Sequence, residues 1–418
     1  MMRLHGRKSP SSEAAAETAA SKGVTRRRFL AGGALAGAAA MATISLAGCS
    51  GTDDKKETTG EPQVITDDSK IINVTEDYKV VDVDLKAAQS WNLPLGTLLF
   101  NTDGDWVSAM MAPESARSVN TLGVLSLSSG SLTTLVETPT QGSGYGFHDV
   151  RCGTDVLAWV EEDYSTGDWV LVAQSLSAGA LQGDPVKLDA GNADWEPARI
   201  AATGSTVIWQ KMPLASGSKR SSASHCYRWT AGDKEGAELC ESPGRFATTP
   251  RISDGILCIV PRVDADKGTY YGLTAIDLGN GQTVDRLVFP ENVRPFEAVY
   301  MGESFAFSVE ADYGYGGSLG SMGSFIGREG GPYVYLAREP LSCICGKGTR
   351  YLIKVRSSHV LVDTEAKTYG TLTAPSGCLD FGDYSASEGT TGSFLTYATL
   401  RSDETGLPES VSARLFSL

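Results

Sequence analysis

The sequence predicts an all-β fold, a β-propeller of seven four-stranded blades, and three observations lead to it. Past residue 90, no apolar pattern with the 3.6-residue period of a helix extends over a helical length. Short alternating apolar runs recur instead, separated by Gly, Ser, Asn and Asp, which is typical of many β-strands. A glycine followed at once by a strand-like run also recurs at a nearly constant spacing, as expected for repeated blades.

The repeated glycine opens a run rich in aromatic and β-branched residues. These glycines are Gly104, Gly153, Gly204, Gly255, Gly302, Gly348 and Gly392, with separations of 49, 51, 51, 47, 46 and 44 residues. A short strand precedes the glycine, as in RIAAT, and most units continue with a hairpin, as in LTAIDL-GNG-QTVDRLV. Four strands per unit predict seven blades that pack on one another. Six or eight blades are the alternatives, because the fourth strand of the fifth unit is hard to find.

The last unit indicates how the ring closes. It contains three strand-like runs, CLDFGDYSAS, SFLTYATL and SARLFSL. We therefore expect an N-terminal strand to complete the last blade and remove an open edge. The segment Lys79–Leu85 (KVVDVDL) has the required alternation of apolar and polar residues.

The first 48 residues have the pattern of an export signal. Three arginines, Arg26–Arg28, precede an uncharged run, Phe29–Ala47, in which Ala and Gly dominate. A membrane-spanning helix needs about 20 strongly apolar residues, and this run is too weakly apolar. Basic residues, a mildly apolar stretch and a small-residue end are typical of a processed signal peptide.

Two motifs in this region resemble those of twin-arginine (Tat) exported bacterial lipoproteins. The first is Thr25-Arg26-Arg27-Arg28-Phe29-Leu30, in which Arg26, Arg27, Phe29 and Leu30 match the Tat motif, although Ala31 replaces its usual lysine. The second is Leu46-Ala47-Gly48-Cys49, which resembles a lipobox.

The resemblance implies lipidation at Cys49 and an extracytoplasmic, cell-surface location on the cell membrane. The Tat translocase would be the partner during export, and the membrane would be a partner through the acyl chains. The expected organisation is a signal peptide at 1–48, a polar flexible tether at 49–66 and a propeller domain at 67–418.

The charge of the mature chain argues against nucleic-acid binding. Residues 1–48 contain seven of the 36 basic and two of the 50 acidic residues, so 29 basic and 48 acidic residues remain. A surface this acidic repels a phosphate backbone.

A weaker resemblance concerns the propeller itself. The segment TTPRISDGILCIV is similar to the Pro-x-x-Ser-Pro-Asp-Gly-x-x-Ile pattern of TolB-like and WD40-like propellers, although no proline stands between Ser253 and Asp254. This similarity implies the blade architecture and no particular activity.

Seven cysteines follow Cys49, and one pair is suited to a disulfide. Cys226 and Cys240 flank a predicted hairpin turn, so they would lie opposite each other on two strands. A disulfide and two buried thiols are both compatible with this position. No cysteine spacing resembles a zinc or iron–sulfur site, and we expect no metal and no cofactor.

The loops that lead into the predicted first strands carry a recurrent set of charged and aromatic residues. These candidate ligand-site residues are His148, Asp149, Asp194, Trp195, Glu196, Arg245, Arg294 and Glu297. Aromatic planes and paired charges at a channel mouth suit a sugar ring or a peptide. The same residues could instead only pack between blades or solvate the rim.

A long glycine-rich segment, Asp312–Pro332, is predicted to form the loop between the second and third strands of the fifth unit. Loops of this length are usually lids or disordered, and Tyr313, Tyr315 and Phe325 are candidate lid residues. The match of Gly316–Gly320 to G-x-S-x-G lacks the strand-turn-helix context of a hydrolase elbow.

These features predict a binding module for a glycan, a peptide or an envelope protein, without catalysis. The alternative is a carbohydrate-active enzyme, a glycosidase or lyase, that uses carboxylates at the channel mouth. A purely structural envelope component is the third class.

Overall fold

The computed structural model describes residues 62–113, 115, 118–263, 268–379 and 381–418. The predicted export signal, the lipobox with Cys49 and most of the predicted tether lie outside the described residues. Within the described part of the chain, no helix is long and apolar enough to cross a bilayer. The helical elements there are short: two 3-10 turns, Asp68–Lys70 and Gly317–Gly320, and one α-helical turn, Val74–Asp77.

The described strands form seven sheets, numbered here along the chain. Sheet 1 is Thr97–Asp103, Trp106–Met111, Thr121–Ser126 and Leu132–Val136. Sheet 2 is Gly146–Cys152, Val156–Asp163, Asp168–Ser177 and Ala180–Gly191. Sheet 3 is Arg199–Thr203, Thr206–Lys211, Ser224–Thr230 and Ala237–Ser242. Sheet 4 is Arg251–Ser253, Ile256–Ile259, Tyr270–Asp277 and Thr283–Val288, with Arg262–Val263 also paired to its third strand.

The last three sheets include strands from distant parts of the chain. Sheet 5 is Glu297–Met301, Ser304–Val309, Gly323–Gly327 and Tyr333–Leu336, with Ile71–Asn73 added at its edge. Sheet 6 is Cys345–Lys347, Arg350–Val355, Ser358–Asp363 and Thr368–Thr373, with Lys79–Val80 and Gly389–Thr390 added at its two edges. Sheet 7 is Tyr384–Ser385, Ser393–Arg401, Pro408–Ser417 and Ala87–Pro94.

The buried side chains lie between the sheets, as a β-propeller requires. Apolar clusters join each sheet to the next, from sheet 1 with sheet 2 through to sheet 6 with sheet 7. A further cluster joins sheet 7 back to sheet 1, where Leu395 and Val411 pack with Leu99 and Val107. The predicted all-β propeller fold is confirmed.

The N-terminal segment follows the outer edges of the last four sheets. Pro62 bridges the fourth strand of sheet 4 at Val288, and Ile71–Asn73 and Lys79–Val80 pair in parallel with the fourth strands of sheets 5 and 6. Ala87–Pro94 then forms the antiparallel fourth strand of sheet 7. Backbone groups at the outer edges of sheets 4, 5 and 6 are thus partly paired, which hinders edge-to-edge association.

The structure differs from the predicted architecture in three details. An N-terminal strand completes the last sheet, as predicted. This strand is Ala87–Pro94, so the prediction of Lys79–Leu85 for this position was wrong. Lys79–Val80 lies on sheet 6, because Val83 and Leu85 pack against the cluster between sheets 6 and 7. Residues 62–66, assigned to the tether, lie against the propeller, where Ile65 packs into the cluster of sheets 4 and 5. Sheets 4, 5 and 6 also contain more than the four strands predicted for each blade.

The repeated glycine forms the turn between the first and second strands. Five of these glycines have φ values of +54° to +75°, a conformation that glycine adopts without steric cost. This turn is therefore the feature that made the repeat readable from the sequence.

A buried charged cluster joins sheets 6 and 7. His359, with a side chain 1% exposed, has its Nδ1 atom 3.3 Å from Oδ1 of Asp383. Asp383 also accepts a 2.6 Å hydrogen bond from Arg414, and the Lys354 ammonium donates to the carbonyl of Phe381 at 2.6 Å. Burial lowers the pKa of His359, although Asp383 acts in the opposite direction. Burial alone would raise the pKa of Asp383, but His359 and Arg414 hold it well below its usual value.

We expect this histidine to make folding less stable in mild acid. Below about pH 6.5 the unfolded chain binds a proton at His359 that the folded chain does not, so stability falls as the pH drops, by at most about 1.4 kcal/mol per pH unit. Denaturant unfolding of the wild type and His359→Gln between pH 7.5 and 5 should show a smaller slope in the variant. An unchanged slope in His359→Gln would contradict the assignment.

Candidate functional site

Two adjoining cavities lie where the first strands converge. The larger, about 190 Å³, is lined by Leu99, Phe100, Arg151, Arg251, Glu297, Leu341, Ser342, Cys343, Ser385, Ser387 and Glu388. The smaller, about 50 Å³, is lined mainly by the later residues of the first strands of sheets 1 and 3. Arg151 and Glu388 line both cavities, so their side chains form the partition between them.

Five charged residues form the central group: Asp149 and Arg151 of sheet 2, Arg251 of sheet 4, Glu297 of sheet 5, and Glu388 of the segment that follows the first strand of sheet 7. The Arg251 guanidinium donates to both oxygens of Glu297, at 2.9 and 3.2 Å, and to Glu388. Arg151 lies 3.5 Å from Glu388 and 3.4 Å from Asp149. Sheets 2, 4 and 5 and this segment are therefore tied together by one network of buried ion pairs.

Glu388 reaches this position because the first strand of sheet 7 breaks. After Ser385 the chain leaves sheet 7, and Gly389–Thr390 pairs in parallel with the first strand of sheet 6. The Thr390 amide donates to Oγ of Ser253 on sheet 4 at 2.9 Å. This crossing segment, residues 386–391, thus links sheets 4, 6 and 7 and brings a carboxylate between two arginines.

Burial shifts the acid–base properties of two neighbouring groups. It raises the pKa of Asp149, and the opposing effect of Arg151 does not cancel this. Burial also raises the pKa of the Cys343 thiol well above its usual range, although Arg251 opposes the shift. A thiol in this state is protonated, so Cys343 is unsuited to act as a nucleophile.

Four of the predicted site residues belong to this charged region. Glu297 and Asp149 are in the central group, and Glu196 forms a pair with the predicted Arg245 in the loops leading into sheets 3 and 4. Glu196 also lies 3.3 Å from Arg199. Burial lowers the pKa of Arg199, with Arg245 as the largest further cause in the same direction and Glu196 opposing.

The other predicted site residues have separate partners. Asp194 accepts a 2.8 Å hydrogen bond from Ser218 and lies 3.6 Å from Lys219, so it holds the loop of residues 212–223. His148 lies 2.9 Å from Glu162 on the neighbouring strand.

The rings at the loops leading into the first strands are mostly covered. The ring of Trp195 has Lys219 at 5.4 Å and Lys211 at 5.7 Å from its centroid. Phe147 and Phe246 are buried between sheets. Arg294 donates to the carbonyl of Ala247 at 3.4 Å.

Phe325 was wrong as a lid residue. It lies in the third strand of sheet 5, stacked between Phe307 at 5.1 Å and Tyr335 at 4.6 Å. The strand Gly323–Gly327 was hidden in a glycine-rich stretch, so the loop is shorter than expected. Tyr313 packs against the core of sheets 4 and 5, and Tyr315 is exposed. The candidate role of these tyrosines stays a prediction.

Cys226 and Cys240 are directly opposite each other on the third and fourth strands of sheet 3. Both are buried free thiols in this structure. The position was predicted correctly, and the disulfide stays a prediction.

One group of side chains could hold a metal ion. The nearest donor atoms of His225, Glu238 and Glu241 all lie within 4.8 Å of one another on the outer hairpin of sheet 3. Nδ1 of His225 already lies 3.1 Å from Glu238. Exposed acidic groups are common without an ion, and no other observation points to one.

Sequence reasoning missed Arg151, Arg199, Arg251 and Glu388, although a signal for some of them exists. Asp149, Arg251 and Glu388 each precede the repeated glycine of their unit by four residues. The predicted site residues were taken from the loops that lead into the first strands, whereas the missed charges lie within those strands or on the crossing segment.

Comparison with known proteins supports the fold and does not identify a family. No family model and no curated protein matches the chain. A structure of prolyl endopeptidases, studied for inter-domain dynamics in catalysis, aligns with a TM-score of 0.51 at 11% identity, over 78% of this chain and 50% of that one.

Two further solved structures align less well. A puromycin hydrolase gives a TM-score of 0.48 at 12% identity, over 80% of this chain and 56% of that one. The β-propeller domain of the trilobed protease from Pyrococcus furiosus gives 0.42 at 12% identity, over 62% and 80%. The chain spans about half the length of the first two proteins, and at these identities the likeness concerns the fold alone.

Proposed function

We propose that this chain is an exported, lipid-anchored β-propeller that binds a peptide or an envelope protein. Its seven sheets would act as seven blades of one ring, as the closed succession of apolar clusters supports. The export signal and the anchor at Cys49 rest on the sequence motifs. The ligand would bind at the end of the sheets where the chain enters the first strands, here called the leading end.

The observation that carries this proposal is the position of the exposed apolar side chains. In the described residues, the exposed leucines, tyrosines and phenylalanine lie on loops or strand starts at the leading end. They are Leu95, Leu98, Tyr164, Tyr315, Phe381, Tyr384 and Leu407. The other large apolar side chains exposed in the same part of the chain are valines of the N-terminal segment and the outer strands. Apolar groups gathered on one face are typical of a protein-binding surface.

Most of these residues belong to one sector. Leu95 and Leu98 lie at the start of sheet 1, and Phe381, Tyr384 and Leu407 lie at the same end of sheet 7. Sheets 7 and 1 pack directly on each other. We call these five residues the apolar sector.

A peptide or protein fits better than a glycan. Among the rings of the predicted ligand-site loops, Phe147 and Phe246 are buried and Trp195 is flanked by two lysines, so they offer no free plane to a sugar. The exposed rings of the apolar sector, Phe381 and Tyr384, lie with exposed leucines, as on a protein-binding surface. The carbohydrate-active alternative also lacks support. Within the described central group, the carboxylates of Glu297 and Glu388 are bound by Arg251, whereas a glycosidase needs an acid and a free carboxylate flanking a substrate.

A thermal-shift screen tests the proposal on the full-length protein in detergent. Apolar peptides should raise the melting temperature. At a peptide concentration a hundredfold above Kd, binding stabilises the folded protein by about 2.7 kcal/mol. Oligosaccharides should have no effect. Leu98→Ser should remove the peptide effect, and Val284→Ser, a matched control because both side chains are 48% exposed, should keep it. Stabilisation by oligosaccharides alone, or an equal effect in both variants, would refute the proposal.

A further inference from the structure

The larger cavity combines an apolar wall with a charged wall. Leu99, Phe100 and Leu341 form the apolar part. The charged part consists of two arginines and two glutamates, Arg151, Arg251, Glu297 and Glu388. Sites for drug-sized ligands have volumes of about 300–1,000 Å³, so a cavity of about 190 Å³ admits only a small group. A ligand that fits would be amphipathic, with one polar end and a short apolar part.

The guanidinium groups of the two arginines in this cavity differ in how completely their N–H donors are hydrogen-bonded. Arg251 has a two-pronged contact with Glu297, at 2.9 and 3.2 Å, and a third contact with Glu388. Arg151 has carboxylates only at 3.4 and 3.5 Å. Among the described residues its Nε atom makes no hydrogen bond, although its side chain is only 12% exposed. A buried donor without a good acceptor is unfavourable, so Arg151 would gain from a further oxygen ligand.

The position of Arg151 suits such a ligand. Its guanidinium lies 5.4 Å from the centroid of the Phe100 ring, so the ring and the charged group occupy the same part of the cavity. A guanidinium presents its donors as a planar fork that matches the two oxygens of a carboxylate. An incoming carboxylate would compete with Glu388, which Arg151 shares with Arg251.

We propose that this cavity binds the carboxylate of an organic acid with an apolar side group, and that Arg151 is the residue that binds it. The inference rests on the proposed function and specifies its ligand. The acid has two sources with the same chemistry: a free small acid, or the C-terminal residue of a peptide held on the apolar sector.

Calorimetry on the full-length protein tests this with matched pairs of ligands. N-acetyl-leucine should bind about 10- to 100-fold more tightly than N-acetyl-leucinamide, the range expected for hydrogen bonds to a charged group. A leucine-ended pentapeptide with a free C-terminus should likewise exceed its amidated form if the source is a peptide. Preference for the acid in either pair supports the proposal, and the pair that shows it identifies the source. No preference in both pairs overturns it.

Variants of the central group separate binding from folding. Arg151→Gln should weaken binding of the acid about 10- to 100-fold, and Arg151→Lys, which keeps the charge without the fork, should also weaken it. Glu388→Gln should strengthen it, because the internal competitor is removed. Arg350→Gln, at a side chain 53% exposed on sheet 6, should have no effect. Unchanged affinity in a folded Arg151→Lys protein contradicts the assignment.

The two proposals fail in different ways. If amidated and free peptides bind equally and Leu98→Ser abolishes both, the carboxylate site is wrong and the proposed docking function stands. If no peptide binds but N-acetyl-leucine does, the cavity assignment stands and the docking function is wrong.

Discussion

Replacement of Arg251 by methionine should lower the free energy of unfolding by about 3–5 kcal/mol, the usual loss when one partner of a buried ion pair is removed. Arg251 is 8% exposed and contacts Glu297 of sheet 5 and Glu388 of the crossing segment. Burial alone would lower the pKa of Arg251, but these two glutamates raise it well above its ordinary value. Without the arginine, two carboxylates stay in the cavity with no comparable cation. Urea unfolding at pH 7 measures the loss.

Two comparisons show whether buried charge is the cause. Arg350→Met removes an arginine whose side chain is 53% exposed and lies 3.5 Å from Asp363, so its cost should be within about 1 kcal/mol. Combining Arg251→Met with Glu297→Gln and Glu388→Gln should recover part of the stability, because the uncompensated charges are removed. A loss below about 1 kcal/mol for Arg251→Met, or no recovery in the triple variant, would show that solvent or other groups neutralise these carboxylates.

The all-β propeller fold could be predicted because each repeat begins with a local signal. The turn between the first two strands needs a glycine, as at Gly204 with φ of +54°, and the strands beside it alternate or are continuously apolar. Both signals act over a few residues, so they can be read without knowledge of the tertiary structure.

The closure of the last sheet could not be assigned in the same way. Lys79–Leu85 and Ala87–Pro94 are adjacent in the chain, and the first has the clearer alternation of polar and apolar residues. Their placement depends on what each can bury: Leu93 packs between sheets 7 and 1, whereas Val83 and Leu85 pack between sheets 6 and 7. Alternation predicts a strand and does not say which sheet edge it will join.

The central group was predicted only in part for a related reason. Glu297 and Asp149 were found because they follow the loops that lead into first strands. Glu388 lies on the segment that leaves sheet 7 and joins sheet 6. Arg251 forms its ion pair with Glu388 only because this segment crosses between the two sheets. A break in strand pairing depends on contacts between sheets, and no local sequence pattern in residues 386–391 predicts it.

Replacement of Gly153 by alanine should cost about 3–5 kcal/mol of stability, the sum of severe overpacking and damaged hydrogen bonds to a charged group. A Cβ atom at Gly153 would lie 2.2 Å from the carbonyl oxygen of Gly204 and 2.8 Å from its nitrogen. The turns of sheets 2 and 3 are held at this distance by Asp103 of sheet 1, whose Oδ2 accepts from the amides of Thr154 at 2.9 Å and Gly204 at 2.6 Å. An added methyl group forces these turns apart.

Gly204→Ala is the matched control. It replaces another glycine of the same repeat, at which an alanine would meet an unfavourable φ and no steric clash. Gly204 has φ of +54° and open space around its Cβ position, so the cost should be about 1–2 kcal/mol, that of an alanine in the left-handed region. Denaturant unfolding of both variants ranks the two effects. Equal losses would mean that the close approach at Gly153 costs no more than an alanine in the left-handed region at Gly204. A larger loss for Gly153→Ala would mean that the repeat also sets how closely neighbouring sheets approach at this end of the propeller.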